Sequence, residues 1–173
     1  MALIVIEGPD GAGKSTLIER LRGNSTRYFA ILRASGPPIQ PDGKPSRGFE
    51  FMEAARVFAE SLAPFPVICD RIHAISENIY GPLLRGIAPE SHPMILDRLY
   101  PVQLLIYCRP PTSIILDNLK KPAEQMKGVN EKAGDIIAAY DALMDGLSYR
   151  RGMLRYDYTT DSIEKIRDLL SFE

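Results

Sequence analysis

The sequence predicts an α/β fold, in which helices cover both faces of a parallel sheet of about five strands. Short apolar runs alternate along the chain with segments whose apolar residues recur at helical spacing. The first of these runs is continuously apolar, as expected for a strand that is buried on both faces. With 173 residues, 45% of them hydrophobic, the chain is long enough for a single domain over residues 1–173 with a substantial core.

The five expected strands are the apolar runs themselves. The third of them ends at Asp70, and the fourth is closed by the segment Arg109-Pro110-Pro111, which cannot continue a strand. The runs cover residues 2–6, 28–32, 67–69, 102–108 and 154–158.

Helices are expected between these strands. One begins near Lys14 and ends near Gly23, because glycine commonly follows the last helical turn. Residues 35–47 are rich in glycine and proline and are therefore predicted to form a loop. Two further helices show apolar residues at spacings of 4, 3 and 4, one at Phe51, Ala55, Phe58 and Leu62, the other at Ile136, Tyr140, Leu143 and Leu147.

Composition excludes several classes of protein. The net charge of −1 argues against a nucleic-acid binder held by bulk electrostatics, although a local basic groove remains compatible with it. No apolar run approaches the roughly 20 residues that span a bilayer, and the N-terminal residues lack the basic region of a signal peptide. Cys69 and Cys108 each end an apolar run, which indicates buried thiols in a reducing compartment. We therefore expect the protein in the cytoplasm.

Residues 8–15 form the most specific motif of the chain. They read Gly-Pro-Asp-Gly-Ala-Gly-Lys-Ser and fit the phosphate-binding pattern G-x-x-x-x-G-K-[ST] at each defined position. Between a strand and a helix, such a loop surrounds phosphates with backbone N–H groups and the positive end of the helix dipole. Lys14 should reach the β- and γ-phosphates of ATP, and the Ser15 hydroxyl should bind Mg²⁺. The expected donor-binding residues are Gly8, Asp10, Gly11, Ala12, Gly13, Lys14, Ser15 and Thr16.

Two alternatives to this interpretation are weaker. A dinucleotide-binding loop is disfavoured, because Thr16 occupies the third glycine position of G-x-G-x-x-G. A GTPase switch is disfavoured by the absence of an Asn-Lys-x-Asp guanine signature. A module that binds nucleotide without transferring phosphate remains compatible with the motif.

The segment EGPDGAGKST at residues 7–16 resembles the opening of thymidylate kinases and related nucleotide kinases, particularly phage-encoded ones. Asp70-Arg71, followed by Ser76 and Tyr80-Gly81, is similar to the Asp-Arg segment and the next helix of that family. The specific overlap covers residues 2–16 and 67–86. The resemblance implies a three-layer α/β/α P-loop NTPase fold with strand order 2-3-1-4-5. Dimerisation is common in that family, which makes a homodimer an expectation.

Asp70 ends a buried strand parallel to the first, so its carboxylate should lie at the carboxyl edge of the sheet beside the P-loop. There it can hold Mg²⁺, as the resemblance implies, or it can cap a helix. The resemblance also implies that Arg71 clamps the acceptor phosphate and neutralises the transferring charge, a task that suits the rigid fork of a guanidinium. The expected catalytic residues are thus Lys14, Asp10, Asp70 and Arg71.

The role of Asp10 and of its neighbour Glu7 is left open by the sequence. The resemblance places Asp10 near the sugar hydroxyl of a bound nucleotide, whereas an alcohol kinase would use such a carboxylate as a base. Tyr80 either stacks on an acceptor base or is a partly buried tyrosine. The expected acceptor-binding residues are Arg71, Glu77, Tyr80 and Arg85.

A basic lid is expected at residues 119–134, where it would exclude water from the phosphates. It contains four lysines and has Gly128 and Gly134 as candidate hinges. It lacks arginine, which lids or P-loops of that family commonly supply. Lys121, Lys127 or Arg109 at the end of the fourth strand is then the candidate cation.

The leading hypothesis is a kinase that uses ATP to phosphorylate a pyrimidine deoxynucleotide, such as dTMP or hydroxymethyl-dUMP. The alternative is a kinase acting on the hydroxymethyl group of modified uracil in phage DNA, which shares the P-loop scaffold. Lysines 120–132 together with Arg150, Arg151 and Arg155 would line a groove for DNA in that case.

Overall fold

The computed structural model describes residues 3–24, 29–33, 49–121, 127–148 and 152–170. Its five strands pair in parallel to form one sheet with the order β2-β3-β1-β4-β5. The predicted α/β class, the parallel pairing and the strand order are therefore confirmed.

Each predicted strand is present, and its ends lie within two residues of the predicted ones. The last strand ends two residues earlier than predicted, so Tyr158 lies in the turn that follows it. Residue 28, the predicted start of the second strand, falls outside the described residues. The strands are β1 (Leu3–Glu7), β2 (Ala30–Arg33), β3 (Val67–Asp70), β4 (Leu104–Cys108) and β5 (Met153–Tyr156).

The helices include the three that periodicity or the glycine stop predicted. Two short helices, at His92–Arg98 and Thr112–Leu119, were not predicted from periodicity. They have seven and eight residues and so make only about two turns, too few to show a clear apolar repeat. The helices are α1 (Lys14–Asn24), α2 (Phe49–Ser61), α3 (His73–Tyr80), α4 (His92–Arg98), α5 (Thr112–Leu119), α6 (Ala133–Leu147) and α7 (Glu164–Leu170), with a π-helical turn at Gly81–Arg85.

The core lies on both faces of the central strands. All five residues of β1 and all five of β4 are buried, which requires helices on both sides of the sheet. β2 is partly exposed because it is an edge strand. Burying each large aliphatic side chain stabilises the fold by roughly 1.5–3 kcal/mol, so the apolar runs of the sequence dictate which strands are central.

The parallel pairing brings the carboxyl ends of the strands to one edge of the sheet. Ile6 pairs with Asp70, and Arg33 at the end of β2 pairs with the same residue. Glu7 pairs with Tyr107 on the other side of β1. Charged residues that are distant in the sequence therefore meet beside the loop at residues 8–13.

One predicted segment lies outside this description, and another lies partly outside it. The predicted loop at 35–47 falls outside the described residues, as do residues 122–126 of the predicted lid. Gly134, a candidate hinge of that lid, lies in the first turn of α6, and its part in a hinge stays a prediction. No described helix is both long and apolar enough to cross a membrane.

Candidate active site

The loop between β1 and α1 is tightly packed, and two glycines make this packing feasible. Gly8 has φ 148°, and a Cβ there would lie 2.5 Å from the carbonyl oxygen of Cys108. Gly13 has φ 84°, and a Cβ there would lie 2.5 Å from the ring of Tyr158. Since side chains avoid both the backbone conformation and such contacts, the loop follows this path only with glycine at these positions.

The Lys14 side chain folds back over the same loop. Its Nζ donates hydrogen bonds to the carbonyl oxygens of Gly8, at 2.9 Å, and Pro9, at 2.8 Å. Only 7% of the residue is exposed, and burial lowers the pKa of the ammonium group to about 8. The cation is thus held in place above the loop by backbone oxygens.

A cleft of about 750 Å³ opens over Lys14 and the start of α1. It is large enough for a nucleotide. It brings together eight of the residues predicted to be catalytic, metal-binding or donor-binding, the candidate lid cation Lys121, and three residues that were not predicted. The lining residues are Asp10, Gly11, Gly13, Lys14, Ser15, Thr16, Arg33, Asp70, Arg71, Asn118, Lys121 and Tyr158.

Ser15 and Asp70, the two residues predicted to bind Mg²⁺, both line this cleft and would offer it a hydroxyl and a carboxylate oxygen. Asp70 also pairs with Arg33, whose Nε lies 3.2 Å from the carboxylate. Among the described residues no group of three or more acidic, histidine or cysteine side chains could hold a metal alone. This donor set fits Mg²⁺, which takes one or two protein oxygens and completes its shell with phosphate and water.

Arg71 occupies an unusual backbone position directly after β3. Its φ is 70°, a conformation that costs non-glycine residues of the order of 1–3 kcal/mol. Its N–H donates to the carbonyl of Ile6 at 3.0 Å, and its guanidinium forms an ion pair with Asp10. The same group donates to the hydroxyls of Tyr80, at 3.2 Å, and Tyr140, at 3.1 Å.

The predicted acceptor residues occupy two different places. Tyr80 is only 2% exposed, so its ring is buried, and its hydroxyl donates to Asp10 at 3.3 Å. Glu77 and Arg85 form an ion pair with each other at 2.7 Å and are not among the described residues that line the cleft. Their predicted part in acceptor binding stays a prediction.

Glu7 is fully buried, and its carboxylate accepts four hydrogen bonds. The donors are the N–H of Ile72 (2.7 Å), the N–H of Gly8 (3.2 Å), the hydroxyl of Ser76 (3.1 Å) and the hydroxyl of Tyr140 (3.1 Å). Burial raises the pKa of this carboxyl group above its usual value, although Arg71 opposes the shift. Because it lies beneath the cleft rather than in its lining, Glu7 has no access to take a proton from an acceptor.

Arg109, a candidate lid cation, is held away from the cleft by Asp141. Its Nε and NH2 donate to this carboxylate at 2.8–3.1 Å, and NH2 also donates to the hydroxyl of Thr112 at 3.0 Å. Lys121, in contrast, lines the cleft, where it donates to the side chain of Asn118 at 2.8 Å.

Three residues of the cleft escaped the sequence analysis. Arg33 ends an apolar run just as Asp70 does, so the same signal would have found it. Asn118 lies on α5, a helix that was not predicted, and donates to the carbonyl of Gly11 and to the hydroxyl of Tyr158, both at 2.9 Å. Tyr158 was assigned to the last strand, whereas it lies beyond its end and packs on the P-loop.

The fold agrees with comparisons to known proteins. The chain is 26% identical to a guanylate kinase from Gloeobacter violaceus over 128 residues, a match that covers 66% of this chain. The chain spans 60% of the length of that curated relative. No family model matches the chain.

Solved structures with the same fold include the YorR protein of Bacillus subtilis in complex with phosphorylated GDP. It has a TM-score of 0.69 and 19% identity, and the alignment covers 98% of this chain and 94% of that one. A deoxyadenosine kinase from M. mycoides with bound dATP has a TM-score of 0.59 and 18% identity, with 98% and 99% covered. The chain therefore has a nucleotide-kinase-like fold. A specific relation to thymidylate kinases stays a prediction.

Proposed function

We propose that the protein transfers the γ-phosphoryl group of ATP to a nucleotide. The observation that carries this proposal is the position of the Lys14 ammonium group, held over a glycine loop at the base of a cleft that Asp70 and Arg71 also line. A phosphate-binding loop alone is compatible with simple binding. Arg71 and Asp70 add, in the same cleft, the cation and the carboxylate that phosphoryl transfer requires.

On the donor side, backbone N–H groups of the P-loop and the start of α1 would surround the β- and γ-phosphates. Lys14 would neutralise charge on the oxygens between the two phosphates as the bond to the leaving group breaks. Ser15 and Asp70 would hold Mg²⁺, which supplies further neutralisation of the triphosphate. For Asp70, metal binding would compete with its ion pair to Arg33.

On the acceptor side, Arg71 would contact the phosphoryl group in transfer. Two sides of its guanidinium are engaged by Asp10 and by tyrosine hydroxyls, which sets its orientation before any substrate binds. Asp10 is committed to Arg71 and Tyr80, an arrangement that favours orientation of the substrate over proton removal. A monophosphate acceptor needs no base, because its second pKa is near ~6.

The acceptor that we propose is a pyrimidine deoxynucleoside monophosphate, either dTMP or a 5-substituted relative such as hydroxymethyl-dUMP. The support is the resemblance of residues 7–16 and 70–81 to nucleotide kinases that act on this class. A substrate of this kind presents to Arg71 the phosphate that a guanidinium fork recognises best.

The test is a transfer assay with γ-labelled ATP against a panel of acceptors. The panel contains the four deoxynucleoside monophosphates, hydroxymethyl-dUMP, GMP, the matching nucleosides and hydroxymethyluracil DNA. We expect label on pyrimidine monophosphates and none with Lys14→Ala. Label on purine monophosphates alone would contradict the proposed acceptor, and label on DNA alone, lost as salt is raised, would establish the DNA kinase instead. ATP binding without transfer to any acceptor would contradict the proposed activity.

A further inference from the structure

We propose that Tyr140 of α6 is a positioning residue for Arg71. The Tyr140 hydroxyl links the Arg71 guanidinium to the buried carboxylate of Glu7 and so holds the guanidinium in place. The inference rests on the proposed function in that Arg71 acts on the transferring group. Tyr140 itself is fully buried and is not among the described residues that line the cleft. It would act through Arg71 and not on the substrate.

The hydrogen bonds of the Tyr140 hydroxyl have a defined direction. A guanidinium has only donors, so the bond of 3.1 Å between Arg71 and the hydroxyl makes the tyrosine oxygen the acceptor. The single hydroxyl proton is then free to point at Glu7, whose Oε2 lies 3.1 Å away. The chain of donation therefore runs from Arg71 through Tyr140 to Glu7.

The Arg71 guanidinium is held by side chains from three different elements. NH1 has two hydrogens and donates to two hydroxyls, those of Tyr80 and Tyr140, while NH2 pairs with Asp10. Tyr80 in turn donates to Asp10, which closes a ring of contacts on that side. Removing the Tyr140 hydroxyl would leave one hydrogen of NH1 unsatisfied and would remove one of the three side-chain contacts that fix the orientation of the guanidinium.

Glu7 provides the rigid end of the linkage. It accepts from Gly8 in the P-loop and from Ile72 and Ser76 after β3, so it joins the donor loop to the segment that carries Arg71. A buried carboxylate that released these donors would leave them unpaired, which is costly. The Tyr140 hydroxyl thus bonds to an acceptor that three other hydrogen bonds hold in place.

Tyr107 offers a matched control in the same aromatic stack. Its ring lies parallel to that of Tyr140, with centroids 6.2 Å apart and an angle of 13°. Its hydroxyl donates to Asp141 at 2.9 Å, away from Arg71 and Glu7. Tyr107→Phe and Tyr140→Phe therefore each remove one hydroxyl group from two neighbouring rings. Of these two hydroxyls, only that of Tyr140 is hydrogen-bonded to Arg71.

Steady-state kinetics of the two variants test the inference. For Tyr140→Phe we expect kcat/KM for the acceptor to fall roughly 10- to 100-fold, because a hydrogen bond to a charged group is lost, with the KM for ATP unchanged within about twofold. Tyr107→Phe should match the wild type both in kcat/KM for the acceptor and in the KM for ATP. In an Arg71→Lys background the effect of Tyr140→Phe should shrink to about twofold or less, because coupled residues are not additive. Equal kinetics of the two phenylalanine variants, or an equal rise in both KM values, would overturn the inference.

Crystal structures of both variants supply a readout that needs no turnover. In Tyr140→Phe the Arg71 guanidinium should lose its contact with Asp10 or adopt more than one conformer, whereas Tyr107→Phe should leave it unchanged. An unchanged Arg71 in Tyr140→Phe would sink the positioning role even if the kinase assay succeeds. If Arg71 is displaced in Tyr140→Phe but the wild-type protein transfers no phosphate, the structures would support the positioning role, and the assay would contradict only the proposed activity.

Discussion

The two halves of the candidate active site are held together in different ways. The donor half consists of the P-loop, Lys14 and Ser15, and Lys14 is bonded to carbonyls only five and six residues earlier in the chain. The acceptor half consists of Asp10, Arg71, Tyr80 and Tyr140, and three of its four side-chain contacts join residues that are 61 to 70 positions apart. The geometry of the donor half therefore depends mainly on the backbone conformation of a few glycines, whereas the geometry of the acceptor half depends on how the strands and helices pack together.

The largest expected effect tests the donor half. Lys14→Ala removes the cation that, in the proposed mechanism, neutralises charge between the phosphates, so we expect kcat/KM to fall about 10²- to 10³-fold or more. The measurement is labelled phosphoryl transfer, with thermal denaturation to show that the variant is folded. A variant with wild-type kcat/KM would contradict the proposed chemistry of the donor half.

A smaller loss is expected in the acceptor half. Arg71→Lys keeps the charge but loses the fork that contacts Asp10 and two tyrosine hydroxyls, so we expect kcat/KM for the acceptor to fall roughly 10- to 100-fold. The KM for ATP should stay near the wild-type value. Arg56→Lys is the control, because Arg56 forms an exposed ion pair with Glu53 and Glu60 on α2. If Arg71→Lys altered ATP binding as strongly as acceptor binding, the division into two halves would be wrong.

Gly13→Ala should affect the donor half alone and more mildly. The new methyl group would meet the Tyr158 ring, and the backbone would be held at φ 84°. Such strain costs of the order of 1–3 kcal/mol, so we expect the KM for ATP to rise about tenfold. Gly23→Ala is the matched control, because a Cβ there meets nothing within 4 Å and the residue lies in a helix. An acceptor KM that rises as much as that for ATP would argue against the prediction.

The smallest effect concerns pH. In the proposed mechanism the phosphates bind the protonated form of Lys14, and burial lowers the pKa of this group to about 8. Affinity for ATP should therefore be constant well below pH 8 and should fall above it, by about fourfold between pH 7 and pH 8.5. Equilibrium titration with a non-hydrolysable ATP analogue measures this dependence, and Lys14→Met should abolish it. An affinity for ATP that rises above pH 8 would contradict the prediction that the protonated form of Lys14 binds the phosphates.

The same contrast explains what the sequence made predictable. The β1–loop–α1 unit is encoded by contiguous residues with special backbone requirements, and the apolar runs determine β1 and β4 as central strands. The strand order came from the resemblance, since apolar runs alone do not say which strands are neighbours.

The acceptor half was predictable only as separate residues. Asp10, Arg71 and Tyr80 were named from the sequence, but their ring of hydrogen bonds depends on how β3 and α3 pack against β1. Tyr140 was read only as part of an apolar helical face, because a periodic pattern does not distinguish a tyrosine whose hydroxyl is used from one that merely packs. Tertiary contacts over long separations carry this information.

The packing of Tyr158 on Gly13 has a consequence for the order of events during synthesis. Arg20 and Tyr158, which touch through a hydrogen bond of 3.3 Å, are 138 residues apart. A nascent chain thus exposes its glycine loop long before the aromatic ring that covers it has left the ribosome. The loop therefore reaches its final packing only after residue 158 has been synthesised and β5 has joined the edge of the sheet.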